Sequence, residues 1–135
     1  MPVKVVDASA IGALVFAEPD AEEVMNALSD TILIAPSLIH YELASICLKK
    51  IRKHPSKTNE LIAAFKMAGR LGIDTVAIKH LEVIDLAKRS QLTTYDACYL
   101  WLAQKTGASL VTLDKRLRKV NGSRLKAESS KRSED

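Results

Sequence analysis

The segment that most constrains the fold is the run over residues 93–114. Residues 95–105 contain no helix breaker, and they carry apolar side chains at the spacing of one face of an amphipathic helix. The short run Leu110–Leu113 lacks the alternation of a half-exposed strand, which is typical of a strand covered on both faces in a parallel sheet. The segment therefore predicts a helix, a tight turn and a buried strand, and the helix face comprises Ala97, Leu100, Trp101 and Gln104.

Signals at both ends of this helix fix its length. Thr93 with Asp96 three residues later fits a capping box, and Gly107 suits the C-terminal end, where a left-handed residue is common. A helix over residues 94–106 extends about 20 Å, and a strand over residues 109–113 returns about 16 Å. Asp96 and Asp114 are therefore expected at one edge of the molecule, the carboxyl edge of the strands, where open parallel sheets bind ligands.

Strand and helix patterns alternate along the rest of the chain. Ser37 is placed to cap the long helix that follows Pro36. The alternation predicts an α/β fold with a parallel sheet and right-handed crossovers. The further strands are expected at 3–6, 31–35 and 73–78, and the further helices at 9–16, 21–28, 38–53, 58–71, 81–91 and 115–120.

Length and composition indicate one ordinary domain. The chain has 135 residues, of which 47% are hydrophobic and 27% charged, enough for a single covered sheet. No apolar run approaches the roughly 20 residues of a membrane span, and no basic-then-apolar leader precedes the first strand. We therefore expect a cytoplasmic protein with no membrane partner. Cys47 and Cys98 favour reduced buried thiols over a disulfide.

Four acidic residues are distant in sequence but are each expected after a strand or at a helix start. Each has a structural reading as a helix cap or a helix-dipole partner, and for any one alone that reading is favoured. Four carboxylates in one cleft would repel one another unless a cation neutralises them. Oxygen-only ligands suit Mg²⁺ or Mn²⁺, which can activate water for phosphodiester hydrolysis. These acids are Asp7, Glu42, Asp96 and Asp114.

The distribution of basic residues indicates a nucleic-acid substrate. Residues 38–70 carry seven Lys or Arg against two Glu, and a second basic cluster follows Asp114 directly. Runs of charged residues are more often solvated helix faces. Here the basic residues flank the expected acidic cleft, where they could bind the phosphate backbone of a nucleic acid. The candidate RNA-binding residues are Lys49, Lys50, Arg52, Lys53, Lys115 and Arg116.

Several segments together resemble the PIN-domain ribonucleases, specifically the VapC toxins of prokaryotic toxin–antitoxin pairs. They are residues 5–9 (VVDAS), Glu42, residues 94–100 (TYDACYL) and residues 111–117 (VTLDKRL), and the resemblance covers roughly residues 3 to 120. It implies a three-layer α/β/α domain over residues 1–120, with a short, mostly parallel sheet of four to five strands. Residues 121–135 are expected to be a polar, disordered tail.

The resemblance also implies an activity and its partners. It implies a Mg²⁺- or Mn²⁺-dependent endoribonuclease that cuts structured RNA such as tRNA or rRNA. Such a protein forms a homodimer and is silenced by a cognate antitoxin whose C-terminal segment occupies the cleft. Ser9 and Thr112 match positions that hydrogen-bond the metal waters or the carboxylates. Tyr99 and Trp101 could stack on RNA bases, but we favour a place in the core or at a dimer interface for both. The implied metal ligands, directly or through water, are Asp7, Glu42, Asp96 and Asp114.

Three other readings compete with this one, and only the last is not disfavoured by the sequence. A receiver-type domain also holds Mg²⁺ at strand ends, but it needs paired acids after the first strand, and here only Asp7 follows it. A PIN-like module could bind RNA or a partner without cutting, although all four acids are present. DNA rather than RNA could be the substrate, because only contacts to the 2′-hydroxyl distinguish the two.

Overall fold

Four parallel strands form the centre of the molecule in the computed structural model, which describes residues 1–121. The central strand pairs on both sides, with Val5 opposite Ile34 on one neighbour and opposite Leu110 on the other. The order along the sheet is β3–β2–β1–β4, where β1 is Val3–Val6, β2 Ile32–Pro36, β3 Asp74–Val76 and β4 Ser109–Val111. The chain therefore changes direction across the sheet between β1 and β4, which is the position where open α/β sheets bind ligands.

Helices surround this sheet, as the alternating pattern predicts. A short 3₁₀ turn over Pro55–Lys57 separates the two longest helices of the first half. The three-layer α/β/α prediction is confirmed, with four strands in the described part of the chain. Within residues 1–121 the helices are α1 Ala8–Val15, α2 Ala21–Leu28, α3 Leu38–Lys53, α4 Thr58–Ala68, α5 His80–Ser90, α6 Thr94–Thr106 and α7 Lys115–Val120.

Helix α6 is the centre of the core rather than an amphipathic surface helix. Every residue from Ala97 to Ala103 is buried, and the helix packs on α5, β1, β2 and β4. The predicted single apolar face is therefore wrong: a helix that is apolar on all sides is buried on all sides. Its ends are as predicted, since the Thr93 hydroxyl accepts from the Asp96 N–H at 3.1 Å and Gly107 adopts φ +70°.

Several other boundaries differ from the sequence prediction. Ser37 makes no capping hydrogen bond, because its backbone is already helical (φ −56°, ψ −23°) and a capping residue needs an extended one. Pro36 is the last residue of β2 rather than the residue after it. Helix α4 ends at Ala68, three residues early, and β3 and β4 are shorter than predicted.

Three further expectations concern the polar tail, membrane spans and the cysteines. The predicted polar tail lies outside the described residues except for Asn121, which follows α7. Over residues 1–121, no helix has the length and apolar character to cross a membrane. Cys47 and Cys98 are buried free thiols.

Candidate active site

The four predicted acids line one cavity at the carboxyl edge of the sheet. Asp7 follows β1 and Asp114 closely follows β4, while Glu42 and Asp96 lie near the starts of α3 and α6. The cavity holds about 250 Å³. Cavities of about 460 to 580 Å³ lie elsewhere on residues 1–121, but their linings do not gather these acids. The chemistry of the lining, not its size, therefore identifies the site.

Asp7 is the most buried of the four acids, with 4% of its surface exposed. Its Oδ1 accepts the Ser9 hydroxyl at 2.7 Å and the Ala10 N–H at 3.0 Å, and its Oδ2 accepts the Thr112 hydroxyl. Asp7 is thus the N-cap of α1 and a cavity residue at once. Burial raises the pKa of the Asp7 carboxyl to about 6, and these three donors together hold it below a still higher value.

Ser9 and Thr112 also join the turn after β4 to the end of β1. The Ser9 oxygen accepts the Leu113 N–H at 2.9 Å, and the Thr112 oxygen accepts the Asp114 N–H at 3.0 Å. Each hydroxyl therefore donates its one proton to Asp7 and accepts a backbone N–H of the turn after β4. The two residues predicted to support the carboxylates do contact one of them directly.

Asp96 and Asp114 occupy helix starts on neighbouring elements. Asp114 caps α7 by accepting the Leu117 N–H at 2.9 Å. Burial raises the pKa of Asp96, and the Asp114 charge raises it further, while Thr93 and the Arg116 charge act in the opposite direction. The two acids are therefore close enough to repel each other, as expected for one edge of the sheet.

Glu42 reaches the same cavity from α3 and is held by a residue of α6. The Tyr99 hydroxyl donates to Glu42 Oε1 at 2.5 Å. Burial raises the pKa of Glu42, with further contributions from the Asp96 and Asp114 charges, and the hydrogen bond from Tyr99 lowers it. Burial and the Glu42 carboxylate raise the pKa of Tyr99, so the phenol keeps its proton.

Tyr99, expected in the core or at a dimer interface, also contacts Glu42, which the sequence interpretation does not include. The available signal was spacing, because Tyr99 lies three residues after Asp96 and so shares its helix face. The same periodicity along α3 brings Ser45 and Lys49 into the cavity lining beside Glu42.

The donor set fits a hard divalent cation, although the side chains do not form a complete coordination shell. The groups in the cavity are carboxylate and hydroxyl oxygens, which suit Mg²⁺ or Mn²⁺. Over residues 1–121, no three His, Cys, Asp or Glu side chains have an arrangement that would hold a metal ion. Asp7, for example, has both oxygens engaged in hydrogen bonds.

The six candidate RNA-binding residues differ in their surroundings. Lys49 lines the cavity; Lys50, the next residue, instead forms an ion pair with Glu18 at 3.0 Å and lies over the Phe16 ring. Arg116 is exposed at the start of α7 and acts electrostatically on Asp96. The others are exposed and stand outside the cavity lining: Arg52, Lys53 and Lys115.

Comparisons with known proteins agree with this fold. Residues 4–123 match the PIN domain. Ribonuclease VapC3 from Pyrobaculum aerophilum is 34% identical to this chain over 118 residues, which cover 84% of this chain and 90% of the relative. The crystal structure of PAE2754 from the same organism has a TM-score of 0.73 and 24% sequence identity, covering 93% of this chain and 98% of that one, and so shares the fold. The chain therefore belongs to the PIN-domain family and resembles its VapC members over most of its length.

Proposed function

We propose that this chain is a divalent-metal-dependent endoribonuclease, the toxin of a toxin–antitoxin pair. The observation that carries the proposal is the convergence of four carboxylates, from four different elements, on one cavity at the carboxyl edge of the sheet. The similarity to Ribonuclease VapC3 supports the reaction class. The metal ligands, directly or through water, are Asp7, Glu42, Asp96 and Asp114.

Different residues of the cavity position the carboxylates and bind the RNA. Ser9 and Thr112 hold Asp7 in place, so that one carboxylate is fixed before any ligand arrives. Lys49, at the cavity wall, binds a phosphate oxygen of the RNA next to the bond that is cut. A bound Mg²⁺ or Mn²⁺ supplies activation of water and stabilisation of the leaving oxygen.

The substrate is RNA, and we expect structured RNA such as tRNA or rRNA. Exposed basic side chains around the cavity supply the sequence-independent part of the affinity. Besides Lys49, the proposed contacts to the RNA backbone are Lys50, Arg52, Lys53, Lys115 and Arg116. Lys50 reaches the RNA only if its ion pair with Glu18 opens, so we expect it to contribute least.

Cleavage of pooled tRNA and rRNA by the purified protein tests this function. We expect internal cuts with Mg²⁺ or Mn²⁺ and none with EDTA. The alternative, a catalytically silent PIN-like module, predicts RNA binding that weakens with salt and no cutting under any metal. A parallel assay on single-stranded DNA of matched sequence separates ribonuclease from general nuclease activity.

We further propose a homodimer, formed through an apolar groove beside the active site. The groove holds about 520 Å³ and is lined by α3, α5 and α6, with Leu38, Tyr41, Ile78 and Ile84 among its walls. Tyr41 and Ile84 are exposed although apolar, and a second copy would bury them. The cognate antitoxin, the other expected partner, would enter the acidic cavity and block the RNA.

Sedimentation equilibrium tests the dimer. Ile84→Asp places a charge in the groove and should shift the wild-type dimer to monomer. Leu81→Asp is the matched control, because Leu81 is exposed on the same helix but does not line the groove, and it should remain a dimer. A wild-type protein that is monomeric at tens of micromolar would contradict the proposal.

A further inference from the structure

The hydrogen bond between Tyr99 and Glu42 joins two helices across the acidic cavity. Tyr99 has 1% of its surface exposed, and a buried tyrosine hydroxyl needs a partner. Its partner is one of the four cavity acids, at 2.5 Å, rather than a backbone carbonyl of its own helix. Both residues line the cavity, so the bond lies within the site and not behind it.

We propose that Tyr99 is a positioning residue that orients Glu42 for the divalent cation. This inference rests on the proposed function. Among residues 1–121, Tyr99 is the one hydrogen-bond partner of the Glu42 side chain, and it engages Oε1. Oε2 is thereby left for the cation or for one of its waters.

Glu42 needs such a tether more than the other acids do. It has three side-chain torsions and is half-buried, so it would otherwise sample several rotamers. The Asp96 and Asp114 carboxylates line the same cavity and repel its charge. Asp7, by comparison, is held by three donors. Outer partners that fix a ligating side chain typically change metal affinity or activity about 10- to 100-fold.

Asp96 and the residue that positions Glu42 lie on the same face of α6. Asp96 and Tyr99 are three residues apart, so one face of the helix carries both an acid of the cavity and the hydroxyl that binds Glu42. Since Glu42 belongs to α3, the tether fixes the distance between two elements that contribute to the cavity. Loss of the hydroxyl should therefore affect the cation site and not the fold.

Mn²⁺ titration of the purified protein, followed by the electron paramagnetic resonance of the free ion, tests the inference. Tyr99→Phe keeps the buried ring and removes only the hydroxyl, and the half-exposed Glu42 can then bind water, so the protein should fold. We expect Tyr99→Phe to bind Mn²⁺ about 10-fold more weakly. Tyr95→Phe is the matched control: Tyr95 is 60% exposed, one turn earlier on α6, and its loss should leave the affinity unchanged.

A second background separates positioning from a structural role. In Glu42→Ala protein there is no carboxylate to orient, so adding Tyr99→Phe should cause no further loss of Mn²⁺ affinity. An equal loss in both backgrounds, or no loss in either, overturns the inference. RNA cleavage by the wild-type protein with unchanged Mn²⁺ affinity in Tyr99→Phe would overturn it while the proposed function stands. A wild-type protein that neither binds Mn²⁺ nor cuts RNA would overturn both.

Discussion

At the scale of single residues, Asp7 shows how one side chain serves both folding and the site. Its Oδ1 caps α1 through the Ala10 N–H, and its Oδ2 accepts the Thr112 hydroxyl from the end of β4. The fully paired oxygens make burial of the acid tolerable, but they do not cancel the cost of burying its charge, since its pKa is still raised to about 6. Asp7 therefore opposes folding at neutral pH when no cation is present.

The first prediction follows from this cost. An unfolded Asp titrates near pH 4, so between about pH 4 and 6 the folded state binds the Asp7 proton more tightly and the free energy of unfolding falls as the pH rises. Asp7→Asn removes this contribution. In EDTA the variant should gain stability on the wild type between pH 4 and 7, by at most about 3 kcal/mol. Urea unfolding curves at several pH values measure it; parallel pH profiles for the two proteins would contradict it.

Lys49 and Lys50 provide the second prediction, because adjacent lysines have different surroundings. Lys49 lines the cavity, whereas Lys50 is paired with Glu18. In the Asp96→Asn background, which should not cut RNA, Lys49→Met should reduce the slope of log affinity against log salt by about 0.7 to 0.9. Lys50→Met should reduce the slope less than Lys49→Met does, because Lys50 reaches the RNA only when its ion pair opens. Fluorescence anisotropy with labelled RNA measures both, and equal effects would remove the distinction.

The role of a residue could be predicted from the sequence only where a local strand or helix pattern gives its position. Asp7, Asp96 and Asp114 follow strands or open helices, so topology alone assigns them to one edge. The spacing of Asp96 and Tyr99 assigns both to one face of α6, but the contact between Tyr99 and Glu42 also depends on where α3 lies in the fold, which no local pattern contains.

At the scale of elements, α6 packs on α5 and on β1, β2 and β4. Its limits, residues 94 to 106, were predictable because Thr93 and Gly107 fix both ends chemically. Its burial from residue 97 to residue 103 was not, because periodicity marks one apolar face, whereas α5 and three strands of the sheet together cover the helix. Trp101 joins these two helices by donating from Nε1 to Glu82 at 3.1 Å, and Lys105 pairs with the same carboxylate at 3.1 Å.

The third prediction concerns this helix pair. Trp101→Phe removes a hydrogen bond and part of a buried ring, and it should lower the free energy of unfolding by about 2 kcal/mol. Lys105→Met is the control: Lys105 of α6 also contacts Glu82 of α5, at 3.1 Å, but both side chains are exposed, so its loss should not be measurable. Chemical denaturation measures both variants. An equal loss in the two would mean that surface charge, not packing, joins α5 to α6.

At the scale of the whole molecule, the strand order explains why the site lies where it does. From β1 the chain proceeds to β2 and β3 on one side and then crosses to β4 on the other, so the strand order reverses between β1 and β4 and a cleft opens there. Parallel order and the position of this edge follow from alternating strands and helices, and so the sequence predicts them. The positions of the individual carboxylate oxygens cannot be predicted from this alternation, because they depend on repulsion and hydrogen bonds among residues that are distant in sequence.

The central claim is that four carboxylates act together on one phosphodiester bond. The most direct measurement is the rate of cleavage of a single labelled RNA, at saturating Mg²⁺, by the wild type and by four variants that keep the shape of the side chain. Each should cut at least about 100-fold more slowly while retaining its fold, because each removes one charge from a shared cation. The variants are Asp7→Asn, Glu42→Gln, Asp96→Asn and Asp114→Asn. Cleavage at the wild-type rate by Asp7→Asn or Asp96→Asn would contradict the claim.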